Sequence, residues 1–142
     1  MSKAVRVFMV ISLITFGVMY FYWPYLKMVF ATSAYYTEKD KAEYVFYTPD
    51  LFKKMPRIAY NYTYEYGSVS GPEATVFTVR YHGVVDTTKI EEYLTSSGYR
   101  REPTCDVQAD CWRSQKTSDI VTVIRYHDPD SVVLQIYRSP YN

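Results

Sequence analysis

The sequence predicts an α+β protein in which an N-terminal transmembrane helix precedes a small domain, an antiparallel β-sheet with one or two helices packed on one face. Three observations lead there. Residues 7–26 form a run without a charge, and about twenty helical residues at 1.5 Å each cross a hydrocarbon core of roughly 30 Å. From Ile58 the apolar residues alternate with period two, as in a half-buried strand. From Thr88 the pattern turns helical, with a capping signal in front and a glycine behind.

The apolar run is flanked by Lys3 and Arg6 before it and Lys27 after it, and Tyr20, Tyr22, Trp23 and Tyr25 crowd its far end. Amphipathic rings are favoured at the headgroup level. Pro24 sits where a helix kinks or restarts. A cleaved secretory signal is the alternative, with Ala31-Thr32-Ser33 and Thr32-Ser33-Ala34 as candidate cleavage sites. A signal's apolar core usually runs about 7 to 15 residues, and here Pro24 and Lys27 intervene before those sites, so a retained anchor is expected.

Residues 1–6 are read as a cytoplasmic N-terminus, 7–26 as the span, 27–47 as a juxtamembrane connector and 48–142 as the exported domain. Within the connector, residues 43–47 read as a short strand or packing segment. Thr48, Pro49 and Asp50 offer a cap, a helix-compatible proline and a first-turn acid, which predicts a short helix over 49–55 stopped by Pro56. A strand over 58–66 puts Tyr60, Tyr62, Tyr64 and Tyr66 on one face and Asn61, Thr63 and Glu65 on the other. The segment 67–72, GSVSGP, reads as a turn. The strand after it, Ala74–His82, shows Phe77, Val79 and Tyr81 on one face and Val76, Thr78, Arg80 and His82 on the other. These two runs predict a hairpin.

Thr88 and Glu91 match a capping box, Ile90, Tyr93 and Leu94 form a stripe, and Gly98 supplies a left-handed cap. Further strands are predicted over 99–102, 112–116, 119–127 and Ser131–Arg138, the last two joined by Asp128-Pro129-Asp130. Val79-Arg80-Tyr81-His82 and Ile124-Arg125-Tyr126-His127 look alike 45 positions apart, a faint sign of duplication.

After the apolar run, residues 37–142 hold 13 Lys and Arg against 15 Asp and Glu, a net of −2. Nucleic acid as a partner calls for a clearly basic face and is not expected. The two cysteines, Cys105 and Cys111, lie six positions apart in a polar segment and suit a disulfide loop in an oxidising compartment. With a bacterial source assumed, that predicts a single-pass inner-membrane protein with its domain in the periplasm and its N-terminus in the cytoplasm. A lone pair of cysteines is too few ligands for structural zinc.

Phosphate-loop, His-Glu-x-x-His, Ser-x-x-Lys and G-x-S-x-G patterns do not occur. No enzymatic activity, cofactor or metal is expected. The candidate partner-binding residues are Tyr62 and Tyr64 on the tyrosine ladder, and Arg80, His82, Arg125 and His127 on the paired motifs. Alternation turns those last four outward and Tyr81 and Tyr126 inward, so neighbouring strands would join them into one cationic patch. With Asp86, Asp128 or Asp130 the histidines also suggest a two-histidine carboxylate metal site, which competes with plain solvated strand ends. The ladder competes in turn with packing beneath the Ile90 and Leu94 helix.

A single anchor followed by a small disulfide-bearing domain resembles the layout of envelope accessory proteins, including membrane-anchored immunity proteins that neutralise toxins. The likeness is one of architecture. The expected function is binding of another protein in the periplasm or inner membrane, as inhibitor or immunity protein; a structural subunit of an envelope assembly is the alternative. Both thiols should resist alkylation until a reductant is added, and the Cys105→Ser, Cys111→Ser variant should lose about 2 kcal/mol in chemical denaturation. Thiols that react without reductant would remove the compartment assignment.

Overall fold

The computed structural model describes residues 1–71, 73–105 and 108–139. It has an N-terminal apolar helix followed by a seven-stranded antiparallel sheet with three short helices among the described residues. The chain divides into two compact units, Met1–Ala31 and Thr32–Asn142.

The first unit is α1 (Lys3–Phe30), 28 residues long, with Pro24 inside it and the Ser2 hydroxyl accepting from the Val5 amide at 3.4 Å. It is long and apolar enough to cross a membrane. The helix extends beyond the predicted span at both ends.

The second unit runs β1 (Ser33–Tyr36), α2 (Lys41–Tyr47), α3 (Asp50–Lys53), β2 (Tyr62–Val69), β3 (Ala74–His82), α4 (Thr88–Ser96), β4 (Tyr99–Arg101), β5 (Asp110–Ser114), β6 (Ile120–Tyr126) and β7 (Ser131–Arg138). In space the strands are ordered β1-β2-β3-β7-β6-β5-β4. The last strand of the chain therefore enters the middle of the sheet, between β3 and β6.

Directly opposed residues in a ladder share a face, so the register assigns the faces. Tyr64, Val79, Leu134 and Val123 stand in one cross-strand row, and Tyr66, Phe77, Ile136, Val121 and Trp112 in the next. This is the core face. Tyr64, Val79, Leu134, Val121 and Ile136 are all but sealed from solvent, as are Phe52 of α3 and Ile90 and Leu94 of α4. Rings of α2 lie on the same side: Tyr47 stacks on Tyr66 with centroids 4.5 Å apart, and Tyr44 meets Tyr64 edge-on at 5.4 Å. On α4, Glu91 and its flanking Thr87 reach Arg125 of the same face. All three helices thus cover one face, which is what the alternation predicted.

Several local predictions are corrected. Residues 33–47, expected as connector, form β1 and α2 and belong to the domain, leaving only Ala31 and Thr32 between α1 and β1. Residues 43–47 are helical because Tyr44 and Tyr47, three apart, both meet rings of the sheet. The strand predicted over 58–66 begins at Tyr62 and continues to Val69. Its start is set by the partner: Asn61 accepts from the last residue of β3, His82, and nothing remains to pair upstream. Gly67, Ser68 and Val69, expected in the turn, pair with Val76, Thr75 and Ala74; Pro72 of that turn lies outside the described residues.

The α4 cap shifts by one position, since the Asp86 carboxylate takes the Thr88 amide at 3.0 Å and Thr87 becomes the flanking residue. Gly98 has φ of +91°, the left-handed conformation expected of it. Cys105 and Cys111 are bonded with Cα atoms 5.6 Å apart; residues 106 and 107 of their loop, and 140–142 at the C-terminus, lie outside the described residues.

Tyr64 makes a testable case of the core. Its ring stacks on Tyr36 at 5.5 Å with planes 12° apart, while its buried hydroxyl has no hydrogen bond of normal geometry. Tyr64→Ala should therefore cost about 3 to 5 kcal/mol in denaturant unfolding, and Tyr64→Phe should stay within about 1 kcal/mol of the parent.

Candidate functional site

Two constellations stand out, one on each side of β2. The first centres on Arg57, after Pro56 and between α3 and β2. Its guanidinium donates to the carbonyls of Phe52 (2.9 Å), Met55 (2.6 Å) and Lys53 (3.2 Å), and to Glu38 Oε1 through Nε (2.8 Å) and Nη2 (2.6 Å). Tyr44 lies within 3.1 Å, and the guanidinium sits 5.5 Å from the Tyr62 ring centroid. Tyr62 donates its hydroxyl to Glu38 Oε2 at 2.7 Å.

Burial pushes the Glu38 carboxyl up, but the hydrogen bonds from Tyr62 and Arg57 and the Arg57 charge outweigh it, so Glu38 titrates below the usual range. Burial likewise works against the Arg57 charge, and the bond to Glu38 with the nearby hydroxyls reverses that and raises it. Every strong donor of Arg57 is spent inside the chain. The constellation holds the fold and offers a partner little.

The second constellation is the sheet face that carries no helix of the domain. Across it run the row Gly67, Val76, Tyr137, Ile120, Arg113 and Arg100, the row Glu65, Thr78, Gln135 and Thr122, and the row Thr63, Arg80, Val133 and Ile124. Tyr35 of β1 extends the second row and is 77% exposed. Glu65, its cross-strand neighbour, hydrogen-bonds its hydroxyl and holds it above the ordinary tyrosine range. The Arg80 guanidinium lies 5.7 Å from the Tyr126 ring centroid. Aliphatic side chains, three arginines and rings at two margins thus share this face, which is buried at its centre, where Val133 is 2% and Thr78 7% exposed, and more open toward its margins.

The residues singled out from the sequence are divided among these places. Tyr64 is 1% exposed and Tyr62 half-buried beneath Arg57, so the part of the ladder within β2 belongs to the core side, whereas Tyr60, ahead of the strand, is fully exposed. Arg80 and His82 are half-buried on the open face. Arg125 is on the opposite face, where it donates to Thr87 Oγ1 at 2.8 Å and approaches Glu91 at 3.5 Å. His127 lies beyond β6 in the turn, 3.4 Å from Asp130 Oδ1.

The single cationic patch does not form. Val133 of β7 pairs with Arg80 on one side and Ile124 on the other, so β3 and β6 correspond at a spacing of 44 while the motif repeats at 45. A slip of one residue turns every side chain over, which puts Tyr126 outward and Arg125 inward. The metal arrangement also lacks its set: among the described residues no three His, Cys, Asp or Glu side chains are grouped to hold an ion.

Tyr35 and the Arg57 cluster were not anticipated; β1 is too short to show a period, and a guanidinium bound to carbonyls has no sequence signature. No family model matches the chain, and neither a curated protein nor a solved structure shows significant similarity to it.

Burial pushes the hydroxyls of Tyr36 and Tyr81 up to about 12, against about 10 in an unfolded chain. The fold thus favours their neutral form, and this contribution is complete below about pH 10 and lost as pH rises toward 12. Denaturant midpoints should fall with pH above about 10, with buried tyrosines ionising only as the chain unfolds. The Tyr36→Phe, Tyr81→Phe variant should flatten that decline.

Proposed function

We propose that this is a single-pass inner-membrane protein whose periplasmic domain binds another protein through the open sheet face, as an inhibitor or toxin-neutralising immunity factor. The observation that carries this reading is the composition of that face. An uncovered antiparallel face ordinarily alternates to polar residues, yet the half-buried Val76, Ile120, Ile124 and Tyr137 lie on this one around a buried Val133. Aromatic and arginine side chains are the types enriched where partners bind.

Charge favours an acidic partner. The chain after α1 is net −2, whereas the open side carries Arg80, Arg100 and Arg113 against Glu65 and Glu102, of which Glu102 lies 3.8 Å from Arg113. Such asymmetry steers an acidic surface toward one face and sets the register in which it docks. Binding by occlusion needs this surface and no reacting group. The apolar helix supports the anchor and the Cys105–Cys111 bond supports an oxidising compartment.

A photo-crosslinking residue at Ile124 or Tyr137 of the full-length protein, in its native membrane, should capture one abundant acidic partner. The same probe at Asp50, on the helix side, should not. Arg80→Glu should lower that capture about tenfold with unchanged circular dichroism. Equal capture from both faces, or capture indifferent to Arg80→Glu, would overturn the assignment of the face.

A further inference from the structure

The two edges of the sheet are built differently. At one end β4 has three residues, two of them Arg100 and Arg101, followed by Pro103 and the disulfide loop. Charge, proline and shortness are the usual means of keeping an edge from pairing. At the other end β1, Ser33-Ala34-Tyr35-Tyr36, is also short but has neither charge nor proline.

The ladder fixes which of its backbone groups are spare. The Ser68 amide donates to the Thr32 carbonyl at 2.8 Å, and these residues are directly opposed in the β1–β2 register. In an antiparallel ladder hydrogen-bonded and non-hydrogen-bonded pairs alternate. Thr32, Ala34 and Tyr36 thus face β2 with their N–H and C=O groups, and Ser33 and Tyr35 turn theirs to the open edge.

We propose that this edge pairs with β1 of a second copy of the chain, antiparallel about a two-fold axis, with Ser33 opposite Tyr35 and Ala34 opposite Ala34. What selects a second copy is self-complementarity. That register uses both spare N–H and both spare C=O groups of each chain, four interchain hydrogen bonds in all. It sets the small Ser33 beside the large, exposed Tyr35 on the open face, and brings alanine against alanine at the axis on the core face, where a close non-hydrogen-bonded pair leaves about 4.5 Å between Cα atoms. A two-fold interface needs one patch to complement itself in this way. The two Ser33 residues then lie two positions apart along the strands, about 7 Å. The pairing is independent of which partner the open face takes.

The test uses full-length protein in detergent and in membranes. Ala34→Cys should give a covalent dimer on mild oxidation, and Val69→Cys, exposed on β2, should give none above background. Tyr35→Pro removes an N–H that the β2 ladder does not use and an edge strand tolerates proline there; added to Ala34→Cys, it should reduce the dimer roughly tenfold or more. Light scattering should find two chains per particle for the parent and one for Tyr35→Pro, a readout that needs no new cysteine. Absence of the Ala34→Cys dimer, its persistence with Tyr35→Pro, an equal yield from Val69→Cys, or a parent with one chain per particle would each overturn the proposal.

Discussion

The domain turns on one guanidinium. Helix α3 has four residues, far fewer than a helix needs to stand on its own in water, and it ends with carbonyls that have no partner inside it. Arg57 supplies the missing donors to Phe52, Lys53 and Met55, and with its remaining edge grips Glu38 in the β1–α2 connection. A planar fork with several fixed donors can do this; the single ammonium of a lysine cannot. Because Tyr62 covers the guanidinium and also bonds Glu38, β1, α2, α3 and β2 are joined at one point. The pair is partly exposed on both sides, so its contribution lies in geometry more than in raw Coulomb energy.

Much of the sheet could be read from the chain, for a local reason. Strands such as Ala74–His82 and Ser131–Arg138 alternate over eight or nine residues between clear turns, and alternation of that length has one reading. Elements whose identity depends on distant neighbours could not be read. Four residues of β1 show no period, and the Tyr, Val and Phe of α2 favour a strand until the rings of Tyr36, Tyr64 and Tyr66 make Tyr44 and Tyr47 a helical face. The ends of β2 moved for the same cause, since a strand stops where its partner stops.

The surface was less legible than the core, because a face is decided by parity and parity by register. Repetition of Arg-Tyr-His suggested matched orientations, but the central strand β7 sets β3 and β6 one residue out of step with the repeat. Arg80 and Arg125 thereby acquire different tasks, one beside Tyr126 on the open face and the other tied to Thr87 and Glu91 on α4. Arg57 gave no signal either: its partner Glu38 is 19 positions away and its other acceptors are backbone.

The tyrosines, which suggested a binding ladder, sort by what their hydroxyls find. On the core side Tyr36 meets Thr48, Tyr62 meets Glu38, Tyr81 meets the Pro56 carbonyl and Tyr93 the Leu51 carbonyl. Each ring fills the core while its oxygen reaches a polar margin, an economical use of an amphipathic side chain in a domain of this size. The rings left for contact are Tyr35, Tyr126 and Tyr137 on the open face and Tyr60, fully exposed ahead of β2. Tyr35 belongs to both features at once, the rim of that face and the unprotected edge. A two-fold axis perpendicular to the sheet keeps like faces together, so pairing at β1 would lay the open faces of two copies side by side. Edge pairing would enlarge the surface available to a partner instead of covering it.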